Sequence, residues 1–70
     1  MKLKNRNLQE SDLVRVVRPI TALDLPRGRQ GTIVHVYANT KEFQVEFKGK
    51  DEHIWVTHIL KHNQIESVNA

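Results

Sequence analysis

Three groupings in this 70-residue chain are of residue types that could do chemistry, and each implies a different kind. The first is "LPRGRQGTIVHVY", residues 25–37, where Gly28 and Gly31 stand among basic residues as they would in a phosphate-gripping loop. Such a loop sets its glycines between a strand and a helix N-terminus, so that backbone N–H groups and the helix dipole face the anion. Here the glycines lead into β-branched residues, and neither the Walker lysine–serine pair nor the G-x-G-x-x-G spacing is present. A phosphate cradle is rejected on those grounds.

The second grouping is His53, His58 and His62, in which His58 and His62 are four apart. On a helix that spacing could hold a metal. The segment reads instead as strand followed by turn, and alternation places His53 and His58 on opposite faces. The chain has no cysteine, and no third ligand converges with the histidines. Solvated surface histidines are expected, with neither metal nor cofactor. Nucleophilic chemistry has even less to stand on. Ser11 and Ser67 are the only serines and lie near the chain ends, away from any base-and-orienter arrangement. Asp51 and Glu52 fall in an exposed turn, where nothing would raise one carboxyl above the other. No catalytic residue is assigned, and a non-enzyme is expected.

The third grouping suits binding. Arg15, Arg18, Arg27 and Arg29, with Lys2, Lys4 and Arg6 ahead of them, gather positive charge in the N-terminal part. Residues 1–30 carry seven basic against three acidic side chains, and residues 31–70 carry four against five, within a net charge of +3. That asymmetry suggests an anionic partner. Arginine presents a planar fork of donors suited to carboxylate or phosphate. Nucleic acid would also require aromatic platforms. Phe43 and Phe47 read as core, so only Tyr37 and Trp55 are left to stack. In "HIWVTHI" Trp55 and Thr57 share the face opposite Ile54 and Val56, which points Trp55 outward if the latter pair is core. An outward Trp among polar neighbours is an interface anchor, since Trp, Tyr and Arg dominate binding hot spots. The alternative places Trp55 over an open barrel end or under the long loop.

The elements that must position these residues are short strands. "MKLKNRNLQ", residues 1–9, has too little apolar content to pack and reads as a flexible basic arm, leaving 10–70 as the folded domain. "DLVRVVR" is a half-buried strand that ends before Pro19. A long connection comes next, "PITALDLPRGRQ", in which Ile20, Leu23 and Leu25 tuck inward. "GTIVHVYANT" and "EFQVEFKG" are the next strands, joined by a turn around Ala38–Lys41 where Asn39 tolerates left-handed geometry. Ile33 and Val34 are both apolar, so alternation fails there, and a β-bulge is the simplest repair. "EHIWVTHIL" and "IESV" complete five strands, with at most one helical turn, around "KHNQ", before the last. The expected core is Val14, Val16, Leu25, Ile33, Val36, Phe43, Val45, Phe47, Ile54, Val56, Ile59, Leu60, Ile65 and Val68. Five hairpin-spaced strands in one all-β domain point to a small closed or nearly closed barrel, because closure removes exposed edges.

"RGRQGTIVHVY" resembles the loop-and-strand signature of KOW-type motifs in SH3-like barrels of transcription and ribosomal proteins. "DLVRVV", "LPRGRQGTIVHVY", "FQVEF" and "HILKHNQIESV" together resemble an uncharacterised bacterial domain-of-unknown-function family of miniature SH3-like barrels. The likeness spans roughly residues 12–68. It implies a five-stranded SH3-like barrel and a binding or antitoxin-like role, and carries over no catalytic residue. Two functions from different classes are therefore expected in order. One is a protein–protein module in which Trp55 and Tyr37 anchor an acidic protein surface while Arg15, Arg18, Arg27 and Arg29 steer. The other is a KOW-like RNA or DNA contact through the same arginines. An oligomeric enzyme with a site shared between barrels is a distant third. The N-terminus has no apolar run and no segment is long enough to span a membrane, so a cytoplasmic protein is expected.

Overall fold

The computed structural model describes residues 8–49, 51 and 53–68; Lys2, Lys4 and Arg6 of the basic arm lie outside them. Five strands form: β1 Leu13–Val16, β2 Gln30–Tyr37, β3 Glu42–Lys48, β4 Trp55–Lys61 and β5 Ile65–Ser67. Among the described residues the only helical pieces are two 3₁₀ turns, Thr21–Leu23 in the long connection and His62–Gln64 before β5. The chain is mostly β, as its period-two texture requires.

All neighbouring strands are antiparallel, in the order β4-β3-β2-β1-β5. β4 and β5 are the two edges and are not paired with each other, so of the closed or nearly closed barrel expected, full closure is not made. The sheet nevertheless encloses a core. Val14 and Val16 of β1, Ile33 of β2, Phe43, Val45 and Phe47 of β3, Leu60 of β4 and Ile65 of β5 pack in one buried cluster. No helical layer among the described residues covers that face, so the sheet must curl over itself to exclude water.

Local sequence explains the corners. Gly28 takes φ +87°, a value that L side chains rarely adopt. Its N–H donates to the Val16 carbonyl at 2.7 Å, clipping the Arg27–Arg29 corner onto the end of β1. At Gly31 a Cβ would stand 2.8 Å from the Glu46 carbonyl oxygen and equally close to Phe47 and Val45. Glycine is what lets β2 lie this close to β3. The register between them shifts between Ile33 and His35, which is the bulge that the Ile33–Val34 pair required. Ile33 stays inside while Val34 and His35 turn outward.

Three expectations are corrected. Leu8, assigned to the arm, is only 8% exposed and belongs to the core, so the packed body begins at least two residues before Glu10. In the β2–β3 turn the left-handed residue is Lys41 (φ 58°), not Asn39, and its N–H closes the turn on the Tyr37 carbonyl at 2.8 Å. On β4 and just before it, Ile54 (52% exposed), Val56 (39%) and Ile59 (54%) are not buried core, while Leu60 is. β4 is an edge strand, and among the described residues no further strand lies beyond it. Val36 packs against the core without being fully buried, and Val68 is half-buried.

Candidate functional site

Trp55 opens β4 on the outer face, 55% exposed, and lies across the ladder from Lys48. Glu46–Thr57 and Gln44–Ile59 are the next pairs on the same face. Trp55 is thus presented by the alternation of an edge strand whose opposite face carries Leu60 into the core. Arg29 approaches from the side. Val16 N–H donates to the Arg29 carbonyl at 2.9 Å, and the Arg29 guanidinium in turn donates to the Lys48 carbonyl. Lys48 thus stands directly across from the exposed indole, while Arg29 lines a hollow with Phe47, Val56 and His58, on the other face of the ladder. Arg27 is exposed in the same corner, two residues from Arg29.

The other candidates lie elsewhere. Arg15 points outward from β1 and its Nε is 2.7 Å from the Glu66 carboxylate on β5, so its charge is compensated within the sheet. Arg18 is exposed and shares a surface hollow of about 360 Å³ with Lys61 and Gln64, beside the far end of β4 from Trp55. Tyr37 faces Glu42 at the start of β3, whereas Trp55 faces Lys48 at its end. Six residues of strand separate those two positions, roughly 20 Å. Tyr37 is instead edge-on to His35, with ring centroids 4.5 Å apart, and lines a hollow of about 420 Å³ with Ile59. The structure sets Lys48 across the ladder from Trp55 and ties Arg29 to the Lys48 backbone, with Arg27 two residues along in the same corner. It leaves Tyr37, Arg15 and Arg18 as separate features.

Residues 10–67 match the family model described as Domain of unknown function (DUF4926). The chain belongs to this family. No curated protein and no solved structure matches it. The DUF4926 match takes in all five strands and all six candidate binding residues, while Leu8 stands outside it.

The histidines of this DUF4926 domain are dispersed. His58 is half-buried and tilted against Phe47, ring centroids 6.1 Å apart, whereas His53 and His62 are exposed. Among the described residues no three His, Cys, Asp or Glu side chains gather in a way that could hold a metal ion. No helix among them is long and apolar enough to cross a membrane. What sequence reasoning missed is the apolar edge. Ile54, Trp55, Val56 and Ile59 are four of the six large exposed hydrophobics among the described residues, and all lie on or next to β4. The signal was present in "HIWVTHIL", where apolar residues fall on both faces of one strand, a pattern that burial on one side alone does not require.

Proposed function

We propose that this DUF4926 chain is a non-catalytic protein-binding module, an SH3-like β-barrel working in a bacterial cytoplasm, that engages an acidic protein surface. One observation carries the reading: Trp55 is more than half exposed on the outer face, with Lys48 directly across the ladder and Arg29 fastened to the Lys48 backbone. An exposed indole with a lysine across the ladder and two arginines in the neighbouring corner suits a partner that offers an apolar pocket rimmed by carboxylates. Burial of the indole holds the complex, while complementary charge speeds encounter and selects the partner. The strand order, with β1 between β2 and β5, supports the SH3-like assignment. A toxin encoded beside the gene is the partner class that the family likeness suggests.

Of the six candidate residues, Trp55 serves as the anchor and Arg27 and Arg29 as the steering charges. Arg15 is neutralised by Glu66, and Tyr37 is too distant to share one small epitope.

A tagged pull-down from host lysate tests this, with nuclease-treated and untreated halves run for wild type and Trp55→Ala. A stoichiometric protein that survives nuclease and is lost with Trp55→Ala is the expected result. Recovery dominated by RNA or DNA, with proteins lost on nuclease treatment, transfers the arginines to the KOW-like nucleic-acid function and overturns the protein reading.

A further inference from the structure

The free edge of β4 is bounded and centred. The Gly49 N–H donates to the Ile54 carbonyl at 2.7 Å, which fixes the phase of the β3–β4 ladder. With the register Lys48↔Trp55 through Glu42↔Lys61, the backbone groups of Ile54, Val56, His58 and Leu60 point at β3. Those of Trp55, Thr57, Ile59 and Lys61 point away from the sheet. Both ends of that outward row are already occupied. Lys61 N–H donates to Gln64 Oε1 at 2.7 Å, and His53 N–H donates to Asp51 Oδ1 at 3.0 Å. The outward backbone of Trp55, Thr57 and Ile59 is left between these caps, with Thr57 at the midpoint.

We propose that this edge pairs with the same edge of a second copy of the chain, antiparallel, about a two-fold axis through Thr57. Self-complementarity selects the occupant. Antiparallel pairing about Thr57 sets Thr57 opposite its own copy and Trp55 opposite Ile59 of the second copy, twice. All three are hydrogen-bonded pairs that use the outward groups and none of the capped ones. A pairing centred one residue on, at His58, would set Trp55 against Lys61, whose N–H is already taken by Gln64. Side-chain chemistry agrees, since Thr–Thr and aromatic–β-branched pairs are favourable cross-strand neighbours. On the outer face, neither Trp55, Thr57 nor Ile59 is charged, so no like charges meet across the three central pairs.

The arrangement also answers the edge liability. An exposed apolar edge strand is an open template for further pairing, and β4 carries neither a proline nor an inward charge to prevent it. A closed two-fold dimer uses up the edge once and stops. Pairing through the edge leaves the outer face open, so Trp55 of each copy stays available and gains Ile59 of the other as a neighbour. The surface that the proposed partner would cover becomes a composite of both subunits.

The test is sedimentation of the full chain from about 1 μM to about 1 mM, which covers ordinary weak association, for wild type, Thr57→Lys, Thr57→Glu and Thr57→Pro. Wild type is expected to dimerise. Thr57→Lys and Thr57→Glu each set like charges opposite themselves and should weaken the dimer at least about tenfold. Mixing the two should restore a dimer, since opposite charges then meet at the axis. Thr57→Pro removes an outward N–H that the β3–β4 ladder does not use and should also give monomer. Circular dichroism checks that each variant folds, and Thr57→Pro decides alone should Thr57→Glu, beside Glu46, fail to fold. Amide exchange at Trp55, Thr57 and Ile59 should slow as the concentration rises. A wild type that is monomeric throughout overturns the proposal, and so does a dimer that all three substitutions leave intact. Thr57→Lys retains Trp55, so loss of the dimer and loss of the partner are scored separately.

Discussion

Arg15 and Glu66, fifty-one residues apart, close the first strand onto the last through a 2.7 Å contact between guanidinium Nε and carboxylate. Half-exposed ion pairs of this kind contribute about 0.2–1 kcal/mol. Arg15→Ala should therefore lower unfolding free energy by less than about 1 kcal/mol in a urea titration, and the loss should shrink at high salt. Because the charge is spent within the sheet, the same change should weaken partner binding less than Arg27→Ala does. Equal losses for the two variants would return Arg15 to the binding surface.

Gly31 is the glycine with the least room for a methyl group. A Cβ there meets the Glu46 carbonyl oxygen, Phe47 and Val45 at 2.8 Å, two of them core side chains and one a backbone atom. Gly31→Ala should cost about 1–3 kcal/mol by overpacking. That is a large part of the about 3–5 kcal/mol that a core of this size supplies. Gly28→Ala should cost about 1–2 kcal/mol for a different reason, left-handed backbone without any clash. Thermal melts of the two variants separate them: Gly31→Ala should be the less stable.

Lys41 offers the opposite sign. Its φ of 58° is left-handed, and no glycine relieves it. Lys41→Gly should raise stability by up to about 1 kcal/mol, which for a domain of this size moves Tm by about 4–8 °C. A fall in Tm would mean that the side chain, not the backbone, sets the energy of this turn.

Leu8 tests where the packed body starts. It is buried with the core despite lying in a polar, basic stretch. Leu8→Ala should destabilise by about 2 kcal/mol, the low end for buried leucine truncation. A change under about 0.5 kcal/mol would place Leu8 with ordinary surface residues.

Trp55→Ala should leave the melt within about 0.5 kcal/mol of wild type, since the indole is mainly exposed. Partner binding, measured by titration calorimetry once the partner is in hand, should lose at least about 2 kcal/mol. Combining Arg27→Glu with Arg29→Glu should mainly slow association and flatten its salt dependence. Retained affinity in Trp55→Ala would remove the anchor.

By itself the sequence determined the features that depend only on neighbours along the chain. Phe43, Val45 and Phe47 alternate with Gln44 and Glu46, so β3 and its buried face could be read directly, as could the bulge at Val34 and the glycine corners at 28 and 31. Backbone geometry and period-two alternation are local properties, and five strands result from them. Tertiary structure alone decided coverage. Alternation says that Ile59 and Trp55 share a face, but whether that face is buried depends on what packs against it, and among the described residues β4 is an edge with no further strand beyond it. The same holds for charge: Arg15 looks like Arg27 until the β1–β5 pairing brings Glu66 beside it, while Arg29 is tied to β3 by its hold on the Lys48 carbonyl. Tyr37 and Trp55 look equivalent as exposed aromatics, yet the β3 register sends them to opposite ends of one strand. Each of these outcomes depends on a partner distant in sequence, and local pattern contains no term for it.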